Sequence, residues 1–217
     1  MSAFQIRMAL AAAIVLSGCA PLERSRETAN PKTPAIALAR QVCSNCHGLD
    51  GNSESPNFPR LAGQTESYLV EQLTSFRSRG RVDPAGFIYM WGLSRNLTDE
   101  QIKGLANYYA SQKPAAVVYR TGKTALIGEG KAIYEGGVPS KNVPGCAVCH
   151  GQEGQGNGQF PRIAAQHADY LVKQLGAFQR SAVRPDGGVM KDISHDLSHE
   201  EMLAVASYAE AFPATGR

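Results

Sequence analysis

The residues best suited to chemistry form the pattern Cys-x-x-Cys-His, which occurs twice, at residues 43–47 (CSNCH) and 146–150 (CAVCH). Two thiols three positions apart on a helical turn lie on one face, so each pair can bond both vinyl groups of one porphyrin. The histidine that follows can bind the iron through a neutral imidazole nitrogen. Because this pattern is the attachment sequence of haem c, two copies predict two covalently bound haem c groups. The predicted haem-binding residues are Cys43, Cys46, Cys146 and Cys149, and the predicted iron ligands beside them are His47 and His150.

Paired cysteines also form redox-active disulfides and structural zinc sites. A zinc site needs two pairs that close one tetrahedron, and it requires no histidine after each pair. A thioredoxin-like disulfide needs a βαβ context, and no segment of this sequence shows the sustained alternation typical of strands. Two complete copies of the pattern therefore favour haem over both alternatives.

The composition fits a globular chain of one or two domains. Of 217 residues, 43% are hydrophobic and 19% are charged, which allows ordinary cores and does not indicate disorder. The formal net charge is only +3, so it gives no support for nucleic-acid binding.

The amino-terminal segment has the features of an exported lipoprotein. Arg7 precedes an apolar run at residues 8–16 (MALAAAIVL), which is too short to span a bilayer. Residues 16–19 (LSGC) resemble the bacterial lipobox, which implies cleavage before Cys19 and lipid attachment to Cys19. The alternative is an ordinary signal peptide with an incidental cysteine. A fifth cysteine outside the haem motifs favours lipidation, and it predicts a protein that is anchored to a bacterial membrane and faces the periplasm.

The chain beyond residue 34 repeats itself with a period of about one hundred residues. Residues 58–64 (FPRLAGQ) return at 160–166 (FPRIAAQ), and residues 68–76 (YLVEQLTSF) return at 170–178 (YLVKQLGAF). Because each half holds one haem motif and its own helices, the repeat indicates two homologous domains rather than a solenoid. The predicted organisation is a lipoprotein signal peptide at 1–18, a flexible tether at 19–34, a first domain at 35–113, a linker at 114–122 and a second domain at 123–217.

Both domains are predicted to be all-α. Apolar residues recur at helical spacing in each half, and each last helix begins at a capping box, at residues 98–101 (TDEQ) and 198–201 (SHEE). In the first helix, Ile36, Ala39 and Cys43 are expected to share the buried face. The predicted helices cover residues 35–46, 65–78, 125–135 and 167–180, in addition to the last helix of each half.

Each haem iron needs a second axial ligand, and a methionine thioether is the donor that favours reduced iron. Met90 and Met190 occupy equivalent places in the repeat, after glycine-containing loops and before the last helix. They are the predicted ligands opposite His47 and His150. Met202 lies on the apolar stripe of the last helix and is assigned to the core.

Three histidines compete with methionine for the second iron. His167 has no histidine counterpart in the first half, and His195 and His199 flank the capping box of the last helix. Bis-histidine ligation in the second half is therefore an alternative to ligation by Met190.

Further residues are candidates to support the haem. Pro59 and Pro161 follow the two haem motifs at similar spacing, so their carbonyl oxygens can accept the proton of the iron-binding imidazole. A simple turn proline is the alternative in both places. Candidates to form hydrogen bonds with haem propionates are Arg60, Arg162, Tyr68, Tyr170 and Trp91.

These features together resemble the dihaem cytochrome c4 family over about residues 34–213. The resemblance rests on the two haem motifs, the repeated FPR and YLV stretches, and Met90 and Met190. It implies two tandem class I cytochrome c domains, all-α and packed face to face, each with one covalently bound haem. The family commonly has a second methionine three residues after the ligand, where this chain has Leu93 and Ile193.

The same resemblance implies a carrier of single electrons in a bacterial periplasmic respiratory chain, with delivery towards a terminal oxidase. The expected partners are redox proteins, namely an upstream quinol-oxidising complex or dehydrogenase and a downstream oxidase, without nucleic acid. The alternative is a haem enzyme, such as a dihaem peroxidase or thiosulfate-oxidising cytochrome, or the electron-transfer subunit of a dehydrogenase complex. An enzyme needs an open or displaceable distal position, and one methionine for each haem argues against it.

We predict that Cys19→Ser leaves the haem content intact and moves the protein from the membrane fraction to the soluble fraction. The variant lacks the acyl chains, in which each buried CH₂ group contributes about 0.8 kcal/mol to membrane binding. Cell fractionation followed by haem staining measures both properties. A wild-type protein that is already soluble after export would contradict the lipid anchor.

Overall fold

The computed structural model describes residues 27–116, 124–180, 184 and 188–213. Within these ranges every regular element is helical, and β-pairing is limited to two isolated bridges in the second half. The prediction of an all-α protein is therefore confirmed. No helix of this part of the chain is long and apolar enough to cross a membrane. The predicted signal peptide, Cys19 and most of the predicted linker lie outside the described residues.

In the first half, one continuous helical segment carries the haem motif. It consists of α1 (Ala35–Leu38), a π-helical turn (Ala39–Cys43) and α2 (Ser44–His47). The elements that follow are α3 (Glu66–Ser78), α4 (Pro84–Gly86), a second π-helical turn (Phe87–Trp91), α5 (Gly92–Ser94) and α6 (Asp99–Ala110).

In the second half, the first helix ends before the haem motif instead of running into it. The elements are α7 (Thr124–Gly136), a 3₁₀ turn (Pro139–Lys141), α8 (Ala147–His150), α9 (Ala168–Gln179), α10 (Gly188–Ser194) and α11 (His199–Ala211). Gly137, with φ of 72°, and Pro139 and Pro144 interrupt the chain between α7 and α8. The longer helices in both halves agree with the predicted bounds to within two residues.

The first and last helices of each half cross closely, and a glycine permits each crossing. In the first half, Gly104 on α6 faces α1, where an added Cβ would lie 2.5 Å from the Cβ of Ala35. In the second half, Gly130 on α7 faces α11, where an added Cβ would overlap the carbonyl of Ala204. Packed helices leave no room for an extra methyl group at either crossing. The two domains form the same crossing, but the glycine lies on the last helix in the first half and on the first helix in the second half.

The predicted core is correct in α11 and partly wrong in the first helix. Met202 is 6% exposed and packs in the core, as expected. Ala39 is fully buried, but Ile36 is 49% exposed and Leu38 is buried in its place. A π-helical turn holds more residues per turn than an α-helix, so a period of 3.6 residues assigns the wrong residue to the buried face before Cys43.

Both predicted capping boxes are present at the starts of α6 and α11. The glutamine of the first box, Gln101, also donates from Nε2 to the carbonyl oxygens of Asn30 and Thr33, each at 3.0 Å. Thr33 is only 5% exposed. Residues 30–33 are therefore packed against the first domain, and the flexibility predicted for the tether at 19–34 does not extend to them.

A reciprocal pair of glutamines joins the two halves. Gln64 Nε2 donates to the carbonyl of Arg162 at 2.8 Å, and Gln64 Oε1 accepts from the backbone N–H of Arg162 at 2.7 Å. Gln166 makes the same two bonds to the backbone of Arg60, both at 2.9 Å. Each half thus presents the arginine and the glutamine of the same repeated stretch to the other half, as in an interface with twofold symmetry.

Loops from each half also contact the long helix of the other. Ser67 of α3 donates its hydroxyl to the carbonyl of Gly158 at 2.7 Å. Lys173 of α9 donates to Asn57 Oδ1 at 3.1 Å. These contacts flank the glutamine pair and hold the halves face to face, as the resemblance to cytochrome c4 implied.

We predict that Gln64→Leu and Gln166→Leu each lower the free energy of unfolding by about 2 to 4 kcal/mol. Each change leaves two backbone groups of an arginine without their partner, and one buried unpaired group costs about 1 to 3 kcal/mol. Denaturant unfolding of the haem-loaded protein, followed by haem absorption and circular dichroism, measures the change. The exposed Gln152 supplies the control: Gln152→Leu should shift stability by less than about 0.5 kcal/mol, and an equal loss would contradict the role of the interface bonds.

Candidate haem-binding sites

A continuous cavity of about 890 Å³ extends between the two halves. Both haem motifs line it, and so do both predicted methionine ligands. The residues concerned are Cys43, Cys46, His47 and Met90 of the first half and Cys146, Cys149, His150 and Met190 of the second. The fold therefore brings every predicted haem-binding residue to one continuous space.

The four cysteines of the haem motifs are half-buried thiols without disulfide partners. Burial raises the pKa of Cys43 and of Cys146 to about 11, so these two thiols are neutral at physiological pH and unsuited to thiolate redox chemistry. In the described part of the chain, no three His, Cys, Asp or Glu side chains gather as a metal site requires. The raised thiol pKa argues against an activated redox thiolate at these two positions and agrees with thiols placed to add to a porphyrin.

Each motif histidine is held by a proline carbonyl. His47 Nδ1 lies 2.9 Å from the carbonyl oxygen of Pro59, and His150 Nδ1 lies 2.8 Å from that of Pro161. A carbonyl oxygen can only accept, so Nδ1 carries the proton and Nε2 keeps the lone pair that a metal needs. The predicted role of the two proline carbonyls is confirmed by these contacts.

The surroundings of both histidine rings favour the neutral form. Burial lowers the pKa of His47 and of His150, and the bond to the proline carbonyl opposes only part of that shift. The edge of a phenylalanine from the repeated stretch supports each ring, with centroids 6.3 Å apart for Phe58 and His47 and 6.5 Å for Phe160 and His150. A neutral imidazole with a fixed tautomer is the form that ligates iron.

The predicted methionine ligands lie on helices and not on loops. Met90 is in the π-helical turn Phe87–Trp91, and Met190 is in α10. In both halves a serine four residues later donates its hydroxyl to the methionine carbonyl, at 2.6 Å from Ser94 and 2.7 Å from Ser194. The glycines that precede each methionine have a low helix propensity and favour a loop. The serine that makes this bond is 0% exposed in both halves, so the helical turn is packed against the core.

The competing histidines do not line the cavity. His167 is buried between the halves, where its Nε2–H donates to the carbonyl of Ser53 at 2.8 Å. The side chain of His195 is 68% exposed and lies 2.7 Å from a carboxylate oxygen of Asp196. His199 is exposed at the start of α11. Their positions favour Met190 as the second ligand of the second half.

A buried polar cluster lies where the halves meet the cavity. Arg81 pairs with Asp83 at 2.6 Å and donates to Gln72 at 2.8 Å and to Gln174 at 3.0 Å, and Arg184 donates to the same two glutamines. Burial alone would raise the pKa of Asp83, but the attraction of Arg81 outweighs it and holds this pKa below its usual value. Both arginines line the cavity, and their guanidinium groups suit the propionate carboxylates that a haem carries.

The sequence identified only part of this polar lining. Four of the predicted propionate contacts line the cavity, namely Arg60, Arg162, Tyr68 and Tyr170. Trp91 instead stacks on Phe87. Arg81 and Arg184 were missed because they stand at different distances from the methionine of their half and do not look like a repeated pair. The repeated glutamines Gln72 and Gln174, which accept hydrogen bonds from both arginines, were the feature of the sequence that could have indicated this cluster.

Comparison with known proteins assigns the chain to a family. A family model described as Cytochrome c matches residues 35–113 and 127–210. Cytochrome c4 of Azotobacter vinelandii is 37% identical over 178 residues, which are 78% of this chain and 83% of that protein. The solved structure of Acidithiobacillus ferrooxidans cytochrome c4 is 38% identical with a TM-score of 0.71, and the match covers 78% of this chain and 98% of that one. A Stutzerimonas stutzeri protein named thiosulfate dehydrogenase electron acceptor is 34% identical over 78% of each chain.

The family model matches the two halves separately, and each half contains one complete haem motif. The protein is therefore a c-type cytochrome with two tandem domains and two haem c groups, and its role is to carry electrons. With its sequence identity to cytochrome c4 over most of both chains, this chain belongs to the dihaem cytochrome c4 family.

Proposed function

We propose that this protein carries single electrons in a bacterial periplasmic respiratory chain and delivers them towards a terminal oxidase. The observation that carries the proposal is that a histidine and a methionine of each half line the same cavity. An iron with two such ligands has no open position for a substrate. The protein then exchanges electrons with other proteins and transforms no bound molecule.

The proposed domains are residues 35–113 and 123–217, each with its own set of haem-binding residues. The proposed axial ligands are His47 with Met90 and His150 with Met190, and the proposed covalent attachments are Cys43 and Cys46 in the first domain and Cys146 and Cys149 in the second. The neutral histidines with a fixed tautomer and the serine bonds behind both methionines support this assignment. Haem c held there supplies a one-electron iron couple, and thioether ligation favours its reduced form.

The surrounding residues keep each proposed ligand in place. The imidazole proton is committed to a proline carbonyl, and the methionine carbonyl is committed to a buried serine. Ligands fixed in this way change position little when the charge of the site changes, which favours rapid electron exchange. Both histidines are also largely buried, each with 6% of its surface exposed.

The proposed location is the periplasmic face of a membrane, with lipid on Cys19. Because residues 30–33 pack on the first domain, the proposed tether ends at Asn30. About eleven residues then separate Cys19 from Asn30, and an extended chain of that length spans at most about 40 Å. The first domain would therefore stay close to the membrane surface and to membrane-bound partners.

A second candidate role is electron acceptor for a thiosulfate-oxidising dehydrogenase. The similarity to the Stutzerimonas stutzeri thiosulfate dehydrogenase electron acceptor favours this role. It requires no open iron position, because the partner enzyme would hold the thiosulfate. Comparing the rate of reduction by a thiosulfate dehydrogenase with the rate by a quinol-oxidising complex would distinguish the two donors.

We predict that Met90→His and Met190→His each lower the reduction potential of one haem by an amount on the order of 0.1 V or more. Imidazole stabilises ferric iron better than a thioether does, and the variant should also lose half of the ferric sulfur-to-iron charge-transfer band. Spectroelectrochemical titration measures both effects. Met202→Leu is the matched control, because this core methionine does not line the cavity, and both potentials should stay as in the wild type. If Met190→His left both potentials and the band unchanged, another residue would be the ligand of the second domain.

We also predict that the reduced protein does not bind carbon monoxide rapidly and does not turn over hydrogen peroxide or thiosulfate by itself. The reason is that His47 with Met90, and His150 with Met190, would hold the two irons and leave no position for a further ligand. Absorption spectra with carbon monoxide and steady-state assays with each substrate test this. Stoichiometric carbon monoxide binding at one haem, or fast turnover, would instead indicate an enzyme.

A further inference from the structure

The methionine-bearing segment of the first domain has an exposed aromatic and cationic surface. Ile88 is 71% exposed, and Tyr89, which also lines the cavity, is 57% exposed. Trp91, the single tryptophan of the chain, stacks on Phe87 with ring centroids 5.5 Å apart. We call the following five residues the Trp91 surface: Arg79, Ile88, Tyr89, Trp91 and Arg95.

Two arginines converge on the tryptophan ring. The guanidinium carbon of Arg79 lies 4.4 Å from the centroid of Trp91, and that of Arg95 lies 5.3 Å away. Cation–π attraction holds both groups beside the ring without neutralising their charge. Both side chains are exposed, so they present two positive charges next to an aromatic surface.

The nearby carboxylates do not compensate these charges. Asp99 is held by Arg77 at 2.6 Å, and Asp83 is held by Arg81 at 2.6 Å in the buried cluster. Among the described residues, no carboxylate oxygen lies within 4.0 Å of either arginine of the Trp91 surface, whereas ion pairs of that length do form elsewhere. Within the described part of the chain, both positive charges are therefore uncompensated.

Among the residues that the structure describes in the second domain, the equivalent surface lacks these features. The residue after Met190 is Lys191 in place of a tryptophan, and it is followed by the exposed Asp192. Val189 is 60% exposed but has no aromatic neighbour in this helix. One turn further on, the exposed Asp196 accompanies His195. The two methionine-side surfaces thus differ in both charge and aromatic character.

We propose that the Trp91 surface is the docking site for a soluble redox protein whose own docking face is acidic. The proposal deepens the electron-carrier role and rests on it. Tryptophan, tyrosine and arginine are the residues enriched at the energetic centres of protein interfaces. Two uncompensated arginines match an acidic partner and steer its approach. Because Trp91 is bonded directly to Met90, a partner docked here is next to the proposed iron ligand of the first domain.

The test uses acidic plant-type plastocyanin in its cupric form as the probe. In each productive encounter, the reduced cytochrome gives one electron to Cu(II), which becomes Cu(I), and no bond or proton is transferred. Stopped-flow mixing gives the second-order rate as a function of ionic strength. We expect a rate that falls as salt is added, since the charges that steer the encounter are screened.

The charge-reversal variant Arg95→Glu should lower this rate about tenfold at low ionic strength. The matched control is Lys191→Glu, which makes the same change of charge at an exposed position of the second domain and should alter the rate by less than about twofold. Arg95→Lys keeps the charge and should retain most of the salt dependence. A lysine-rich mitochondrial cytochrome c in place of plastocyanin should react more slowly at low salt than at high salt.

Equal losses in Arg95→Glu and Lys191→Glu would overturn the proposal, because net charge alone would then explain them. A wild-type dimer in sedimentation that Arg95→Glu dissociates would also overturn it, since the surface would then hold a second copy of this chain. Reduction potentials of Arg95→Glu should equal those of the wild type. A changed potential would show that Arg95 acts on the haem and not on docking, whereas failure of the carrier role itself would appear as carbon monoxide binding in the wild type.

Discussion

The reciprocal bonds of Gln64 and Gln166 are the constraint on which the rest of this structure depends. Each glutamine side chain satisfies both the N–H and the carbonyl of an arginine in the other half. Buried backbone groups must find partners, so the two halves can close together only in the register that pairs these groups. That register brings Arg81 and Arg184 into one polar cluster and encloses one cavity lined by both haem motifs.

Within each half, the small size of the domain limits how the haem ligands can be positioned. A domain of about 80 residues has little core of its own, and here the helices that enclose the cavity contribute much of their apolar surface to its wall. Gly104 and Gly130 let the first and last helices approach closely. We therefore expect the haem groups to act as core elements, and we expect folding to be coupled to their attachment as it is to metal binding in other small domains.

The two domains are similar inside and different outside. Histidine, proline carbonyl, methionine and serine recur with nearly the same distances in both halves. The surfaces beside the methionines have diverged, with Trp91 and Arg95 in the first domain and Lys191 and Asp192 in the second. Electron exchange depends on the interior and partner choice depends on the surface, so a duplicated domain can keep one chemistry and acquire two distinct faces.

The sequence by itself determined the features that depend on neighbours along the chain. The Cys-x-x-Cys-His motif acts within one helical turn, and a capping box acts within four residues. The repeat by itself identifies Met90 and Met190 as an equivalent pair. Tertiary structure decided the rest: the exposure of Ile36, the serine bonds behind the methionines, and the pairing of Gln64 with a backbone 98 residues away. Such pairings arise from packing between distant segments, and local periodicity carries no record of which segments will meet.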